Sequence, residues 1–149
     1  MKYLPDIYKK NIFAINYDKL KKKGIKCLIF DLDNTLALID STKVENSVKE
    51  LINKLKKAFL VVIVSNSPKR RVSSFGKALE VDYYPFALKP NIRTLKKIKS
   101  KYNLESKQIA IIGDQFITDM AYGYKGKITK IFVDPLAIKD LKITNINRY

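Results

Sequence analysis

Five short runs of apolar residues recur along the chain and predict the strands of one sheet. Valine, isoleucine, leucine and aromatic residues are frequent in these runs, as is typical of β-strands. Most of the runs are continuous and do not alternate with polar residues, which favours strands buried on both faces, as in a parallel sheet. The predicted strands span residues 25–30, 60–64, 81–84, 108–112 and 128–133.

Apolar residues spaced three or four positions apart predict a helix between each pair of neighbouring strands. The first predicted helix begins at Thr42, whose side chain forms a capping box with Glu45. The second begins at Ser67, a cap residue that is followed by Pro68, and runs to about residue 79. The third follows Asn91, and a short fourth covers residues 117–124. This order of elements predicts an α/β protein with a mainly parallel, five-stranded, Rossmann-like sheet and helices on both faces.

The length of 149 residues fits one compact domain, and 46% hydrophobic residues are enough to form its core. We expect a single domain over residues 1–149. Within it, residues 1–24 form a basic and apolar N-terminal segment, residues 25–135 form the core, and residues 136–149 form a C-terminal tail. The sequence leaves open the oligomeric state, the role of Arg148 and whether the tail covers the site.

Lysines alternate with apolar and aromatic residues in the N-terminal segment, for example around Tyr3, Ile7 and Phe13. Such a mixture is typical of segments that bind at the surface of a membrane. The alternative is that the apolar residues pack against the edge of the sheet as part of the domain. Both interpretations are open at this stage.

Thirty Lys and Arg residues against 14 Asp and Glu give the chain a net charge of +16. Such a charge favours an anionic partner: a phosphorylated substrate, an anionic membrane surface or a nucleic acid. The lysines are spread along the whole chain, however, so the charge also fits a general role in solubility. The sequence contains neither the aromatic motif nor the GXXG loop of common RNA-binding modules.

The cellular compartment is constrained by three observations. The longest apolar run, residues 59–64, is too short to span a bilayer, and the chain does not open with a signal peptide. The single cysteine, Cys27, cannot form an internal disulfide, and its place in a predicted strand indicates a small buried hydrophobe. We expect a cytoplasmic protein without a transmembrane segment, with peripheral attachment to the inner face of the membrane as a further option.

Polar side chains with complementary chemistry follow the predicted strands. Because the carboxyl ends of parallel strands meet at one edge of the sheet, these side chains are expected to converge. Four carboxylates at that edge would repel one another unless a cation lies among them, and Mg²⁺ is the ion that prefers such hard oxygen ligands. The four are Asp31, Asp33, Asp114 and Asp119.

Ser65 and Lys89 bring a hydroxyl group and a positive charge to the same edge. These groups are suited to hold the nonbridging oxygens of a phosphoryl group. The chain contains no histidine, so the nucleophile must be a carboxylate or a metal-bound water. The combination predicts metal-dependent phosphoryl transfer.

Four sequence motifs resemble those of the haloacid dehalogenase (HAD) superfamily of phosphatases, in the same order. DLDNT at residues 31–35 resembles motif I, Ser65 after LVVIV resembles motif II, Lys89 in ALKP resembles motif III, and GDQFITD at residues 113–119 resembles motif IV. The resemblance covers almost the whole chain. It is strongest to the subfamily IIIA phosphatases of the YqeG type, which are related to the phosphatidylglycerophosphate phosphatases.

The resemblance implies a role for each motif residue. Asp31 would attack phosphorus to form an aspartyl-phosphate, and Asp33 would act as general acid and base. Ser65, Asn66, Lys89 and Thr35 would bind or position the phosphoryl group. Mg²⁺ would be bound by Asp31, Asp33 through its main-chain carbonyl, Asp114 and Asp119.

The short spacings between the motifs leave no room for the cap domain that most superfamily members insert. A site without a cap is open to water and favours a large or surface-bound substrate. We therefore expect a phosphatase of HAD type that acts on phosphatidylglycerophosphate or a related anionic phospholipid precursor. The alternatives are a phosphatase of nucleic-acid ends or nucleotides, and a non-catalytic basic module that binds RNA or the ribosome.

Overall fold

The computed structural model of the protein describes residues 3–136. It contains one sheet of six strands in the order β1-β6-β5-β2-β3-β4, and every neighbouring pair is parallel. The predicted C-terminal tail lies outside the described residues from residue 137 onwards, and so does Arg148. The strands are β1 (Ile7–Lys9), β2 (Cys27–Phe30), β3 (Leu60–Val64), β4 (Asp82–Tyr84), β5 (Ile109–Gly113) and β6 (Thr129–Val133).

Five α-helices accompany the sheet in the described part of the chain. The α/β class and the presence of helices on both faces are confirmed. The helices are α1 (Tyr17–Lys22), α2 (Asn46–Leu55), α3 (Lys69–Leu79), α4 (Arg93–Tyr102) and α5 (Ala121–Gly126).

The apolar core forms two layers, one on each face of the sheet. Side chains alternate between the two faces along a strand. In β2, Leu28 and Phe30 accordingly belong to one apolar cluster, while Cys27 and Ile29 belong to the other. All four are fully buried, which explains why the strand is a continuous apolar run in the sequence.

The prediction of five strands was wrong, because the N-terminal segment supplies a sixth. Ile7 pairs with Ile131 at the edge of the sheet, and Ile12, Ile15 and Leu20 are buried in the core. The structure thus shows the second of the two interpretations of this segment, in which it packs as part of the domain. A strand of three residues gives too short a pattern to be detected in the sequence. No helix among residues 3–136 is long and apolar enough to cross a membrane.

The predicted beginnings of two helices were also wrong. Helix α2 begins at Asn46 and has no capping hydrogen bond, because Glu45 is extended and Thr42 lies further upstream. Helix α3 begins at Lys69, with Pro68 at the extended N-cap position. The Ser67 hydroxyl, expected to cap α3, hydrogen-bonds to the Asp33 carboxylate. The predicted cap of α3 therefore makes a tertiary contact instead, and the predicted cap of α2 lies too far from the first helical turn.

The strand order brings the predicted motifs to the same place. β2 lies between β5 and β3, and Phe30 is in register with Ile63 and Ile112. The chain continues from β2 to β3 and β4 on one side, then returns to β5 and β6 on the other, so β2 is the switch point of the sheet. Ligands of open α/β sheets bind beyond the carboxyl ends of the strands at this point.

We expect Cys27 to be unreactive in the folded protein. The residue is fully buried, and burial raises the pKa of its thiol to about 12. Since the thiolate is the reactive form, a disulfide reagent at about pH 8 should label the native protein at least about a hundredfold more slowly than the protein unfolded in guanidinium. Equal labelling rates would show that the apolar cluster around Cys27 opens readily to solvent in the folded protein.

Candidate active site

Three buried carboxylates form the centre of the site. Asp31 follows β2, Asp114 follows β5, and Asp119 lies at the end of the loop after β5. Each offers a carboxylate oxygen within 4.8 Å of the others, and all three side chains are buried. These are three of the four carboxylates that the sequence predicts to converge.

Lys89 lies between two of these carboxylates. Its Nζ donates to Asp31 Oδ1 at 3.0 Å and to Asp119 Oδ1 at 2.6 Å, and the residue is 4% exposed. The Asn66 side chain holds the main chain of Lys89 with two hydrogen bonds, of 2.7 Å from the Lys89 N–H and 3.1 Å to its carbonyl oxygen. The strand-end segment after β3 thus positions the lysine that follows β4.

The carboxylates are strongly coupled electrostatically. Burial raises the pKa of Asp31 to about 6, although Lys89 opposes this effect. Burial and the charge of Asp31 likewise raise the pKa of Asp119 to about 6. Burial and the charge of Asp119 raise the pKa of Asp114. For Lys89, burial favours the neutral form, but Asp119 and Asp31 outweigh it and raise its pKa.

The donor set fits a divalent cation. Three ionised carboxylates and one ammonium leave two negative charges in a buried space, which is costly unless further positive charge is present. The Lys89 ammonium contacts Asp31 and Asp119, while Asp114 accepts a hydrogen bond from Thr35. A cluster of hard oxygen ligands that lie this close together suits a small divalent ion such as Mg²⁺ or Mn²⁺.

Asp119 is held by a loop that only glycine permits. Its Oδ2 accepts hydrogen bonds from the main-chain N–H groups of Asp114 at 3.1 Å and Gln115 at 3.2 Å. A Cβ atom at Gly113 would overlap this carboxylate. The residue lies in a π-helical turn, Phe116–Met120, directly before α5. Turns of this type are rare and are frequently found at functional sites.

Thr35 positions the carboxylate of Asp114. Asn34 has a positive φ of 63°, a conformation that asparagine tolerates better than most residues. The turn after Asp33 brings Thr35 back against the sheet, where its hydroxyl donates to Asp114 Oδ1 at 3.0 Å. Thr35 is buried and therefore fixes the loop from within.

Ser65 lies at the end of β3 and is 1% exposed. Its Oγ accepts a hydrogen bond from the Ser67 N–H at 3.1 Å. Its main-chain N–H donates to Tyr84 and its carbonyl oxygen accepts from Ala87. The hydroxyl is thus oriented by the segment after β3, while the Ser65 main chain is held by the end of β4 and by the segment that follows it.

The Asp33 carboxylate faces a separate cation. Arg71 Nε donates to Asp33 Oδ1 at 2.7 Å, and Ser67 Oγ donates to the other carboxylate oxygen. Arg71 also donates to the main-chain oxygens of Ser41 at 2.6 Å and Leu38 at 2.8 Å. Asp33 is therefore held beside the buried trio but apart from it.

The sequence did not predict a role in the site for Arg71, and it predicted Ser67 only as a helix cap. The signal that could have found Arg71 is the basic run Lys69-Arg70-Arg71 at the start of a helix. Cations are disfavoured at the N-terminus of a helix, so such a run needs an acidic partner nearby. For Arg71, that partner is Asp33.

We expect Gly113→Ala to disrupt the carboxylate trio. The added Cβ would displace the Asp119 side chain, which binds two main-chain N–H groups and Lys89. Affinity for a divalent ion, measured by titration calorimetry, should fall at least about tenfold, by analogy with the loss of groups that orient a metal ligand. Far-ultraviolet circular dichroism would verify the fold, and unchanged affinity would contradict the placement of Asp119 in the metal site.

We expect the metal-free protein to be more stable near pH 5 than near pH 7.5. The pKa values of Asp31 and Asp119 are raised to about 6 in the folded state, so the folded protein binds more protons than the unfolded chain between about pH 4 and pH 6. The stabilisation is present below this window and is lost as the pH rises through it.

Urea unfolding in the presence of a chelator should show a difference of about 1–2 kcal/mol between the two pH values. Asp119→Asn is the matched variant, because it keeps the shape of the side chain and removes one titrating group. It should reduce the difference, and an unchanged difference would assign the pH dependence to other groups.

Comparison with known proteins places the chain among phosphatases. It is 35% identical over 147 residues to the probable phosphatase YqeG of Bacillus subtilis, and the aligned region covers 98% of this chain and 86% of that protein. It is 26% identical over 144 residues to phosphatidylglycerophosphate phosphatase 1 of Arabidopsis thaliana, which covers 90% of this chain. The match spans 41% of the length of the plant protein.

Solved structures share the fold at low sequence identity. A predicted HAD-like hydrolase from Porphyromonas gingivalis matches with a TM-score of 0.63 at 11% identity, over 85% of this chain and 99% of that one. The deoxy-D-mannose-octulosonate 8-phosphate phosphatase from Haemophilus influenzae, solved with cobalt bound, matches with a TM-score of 0.61 at 18% identity, over 80% of this chain and 76% of that one.

The family model described as mitochondrial PGP phosphatase matches residues 1–136, which include all four motifs and the six strands. The match of sequence, the shared fold and the buried carboxylate trio beside Lys89 lead to one assignment. This chain belongs to the PGP phosphatase family and is a phosphatase with the HAD fold.

Proposed function

We propose that the chain is a Mg²⁺-dependent phosphomonoesterase that works through an aspartyl-phosphate on Asp31. One observation carries the proposal: Asp31 is buried against Lys89 among metal-suited carboxylates, while Asp33, two residues away, is held by its own partners. Two carboxylates in different environments are suited to two different roles.

In the first step the Asp31 carboxylate oxygen attacks phosphorus, and the bond between phosphorus and the ester oxygen breaks. Asp33 donates its proton to the departing alkoxide, which leaves as an alcohol. In the second step Asp33 takes a proton from water as the water oxygen attacks the phosphorus of the aspartyl-phosphate. Inorganic phosphate leaves, and the Asp31 carboxylate and the protonated Asp33 are restored.

Ser65 and Lys89 would hold the nonbridging oxygens during both steps. Asn66 and Thr35, which the sequence also assigns to phosphate binding, have their side chains engaged with the Lys89 main chain and with Asp114. We therefore propose that these two act chiefly by positioning the groups that contact phosphate.

The residues that would hold Mg²⁺ are Asp31, Asp114 and Asp119, together with the main-chain carbonyl of Asp33. When bound, the ion would supply positive charge that lowers the repulsion between the carboxylates and the phosphate. Lys89, which contacts Asp31 and Asp119, would also lower this repulsion.

We propose phosphatidylglycerophosphate or a related anionic phospholipid precursor as the substrate. The family match and the plant relative's name support this lipid. The open arrangement supports it as well: the chain between Asp33 and Ser65 contains only α2 and β3 as regular elements, and that between Ser65 and Lys89 only α3 and β4. A large substrate can then reach the site and exclude water itself.

The test is phosphate release from phosphatidylglycerophosphate in mixed micelles, beside soluble phosphomonoesters, nucleotides and 5′-phosphorylated oligonucleotides. We expect turnover that requires Mg²⁺ and favours the lipid. Asp31→Asn should abolish it, and Asp33→Asn should lower the rate about 10²–10⁴-fold, the usual contribution of a general acid or base. Rapid acid quenching should trap phosphate on the chain with Asp33→Asn and not with Asp31→Asn.

Asp40→Asn is the matched control, since Asp40 is an exposed carboxylate in the same loop and should be silent. Preferred turnover of a nucleotide or an oligonucleotide end would keep the mechanism and replace the substrate. Full activity of the chain with Asp31→Asn would refute the aspartyl-phosphate.

A further inference from the structure

Exposed large apolar side chains are concentrated at the catalytic edge of the sheet. Because all strand pairs are parallel, segments that follow the strands lie at the same edge. Most of the exposed large apolar residues of the described chain lie in such segments. They form a group that we name the apolar rim: Phe13 after β1, Leu38 and Ile39 after β2, Phe86 and Leu88 after β4, and Phe116 and Ile117 after β5.

Main-chain contacts tie the rim to the residues of the site. The carbonyl oxygen of Leu38 accepts from Arg71, which binds Asp33. The N–H of Phe86 donates to the carbonyl oxygen of Ser67 at 3.0 Å. The other rim residues are close in the chain: Leu88 precedes Lys89, and Phe116 and Ile117 lie between Asp114 and Asp119. Most rim residues therefore lie in the segments after β2, β4 and β5, which also carry Asp33, Lys89 and Asp119.

Two rim residues adopt an unusual backbone conformation. Phe86 has a φ of 48° and Leu88 a φ of 56°, in the left-handed region that bulky residues rarely adopt. Their side chains are 59% and 67% exposed, so packing within the described chain does not account for them. A bulky side chain held in this way and left in solvent indicates a binding role.

We propose that the apolar rim inserts into the surface of an anionic lipid bilayer, so that the enzyme works with its catalytic edge against the membrane. The inference rests on the proposed lipid substrate. Any partner that covers the rim also covers the mouth of the site, and a protein seated there would block a freely diffusing substrate. A bilayer is different, because it presents the phosphate of its own lipids to the covered site.

The charges beside the rim are complementary to such a surface. Lys69 and Arg70 are exposed in the first turn of α3, next to the strand end that carries Ser65, and Lys10 is exposed after β1. No acidic residue lies in the first turn of α3. Cations at the start of a helix are disfavoured by its dipole, and anionic lipid head groups would compensate them.

Tryptophan scanning can test this orientation, because the chain contains no tryptophan. Ile117→Trp and Ile39→Trp place the probe at rim positions that are 74% and 61% exposed. Leu4→Trp is the matched control, since Leu4 is 58% exposed but precedes β1 and so lies near the amino ends of the strands, away from the rim. Each variant is mixed with vesicles of phosphatidylglycerol and phosphatidylcholine, with and without bromine on the acyl chains.

We expect the emission of the two rim probes to shift to shorter wavelength and to be quenched by the brominated lipid, while that of Leu4→Trp changes little. Removal of two rim side chains by Ile39→Gln with Ile117→Gln should lower vesicle binding about tenfold per side chain, as expected when a large apolar group no longer leaves water. Leu4→Gln with Tyr124→Gln, which removes exposed apolar groups elsewhere, should leave binding unchanged.

Rim probes that are not quenched, or a Leu4 probe that is quenched more strongly, would overturn the proposal; the first result would leave a protein as the occupant of the rim. The proposed function is tested separately by Mg²⁺-dependent release of phosphate from a soluble ester by the wild-type chain. Activity on the soluble ester without quenching of the rim probes would refute the membrane orientation alone.

Discussion

The site depends on the buried ammonium of Lys89, which lies between Asp31 and Asp119. Without it, three buried carboxylates would face one another with no cation between them, and their repulsion would oppose the close approach of the ends of β2 and β5. The lysine is itself held by Asn66 from the segment after β3. Lys89 thus connects the segment after β4 to the ends of β2 and β3 and to the turn after β5, through its side chain to Asp31 and Asp119 and through its main chain to Asn66. The three carboxylates outnumber the one ammonium, and the remaining negative charge favours a divalent ion among them.

Much of the fold could be predicted because its signals are local and strong. The buried runs of β2, β3 and β5 are continuous in sequence, and the alternation of strands and helices indicates a parallel sheet. Two kinds of feature could not be predicted. β1 is short and obtains its stability from a strand 124 positions away, and the start of α3 depends on the Ser67 hydroxyl, which binds Asp33 and leaves the helix uncapped.

The candidate site was predictable as far as chemistry follows strand ends. Asp31, Asp114, Asp119 and Lys89 each lie directly after a strand or in the loop that follows it, and the parallel order alone brings them together. Arg71 is different, because it contacts Asp33, Leu38 and Ser41 in the loop after β2, which lie 30 to 38 positions away in the sequence. The basic run at the start of α3 indicates an acidic partner but does not identify it. The apolar rim is different again: exposed apolar residues resemble core residues in a sequence, and only the structure separates them.

The pairing of β1 with β6 also constrains the order in which the protein can be completed. β6 lies between β1 and β5, so β1 can join the sheet only where β6 has already paired with β5. Pairing between segments this far apart in the sequence carries a large loop-closure cost and forms slowly. We therefore expect β1 to join the sheet late in folding, and Ile12, Ile15 and Leu20, which follow it, to enter the core at the same stage.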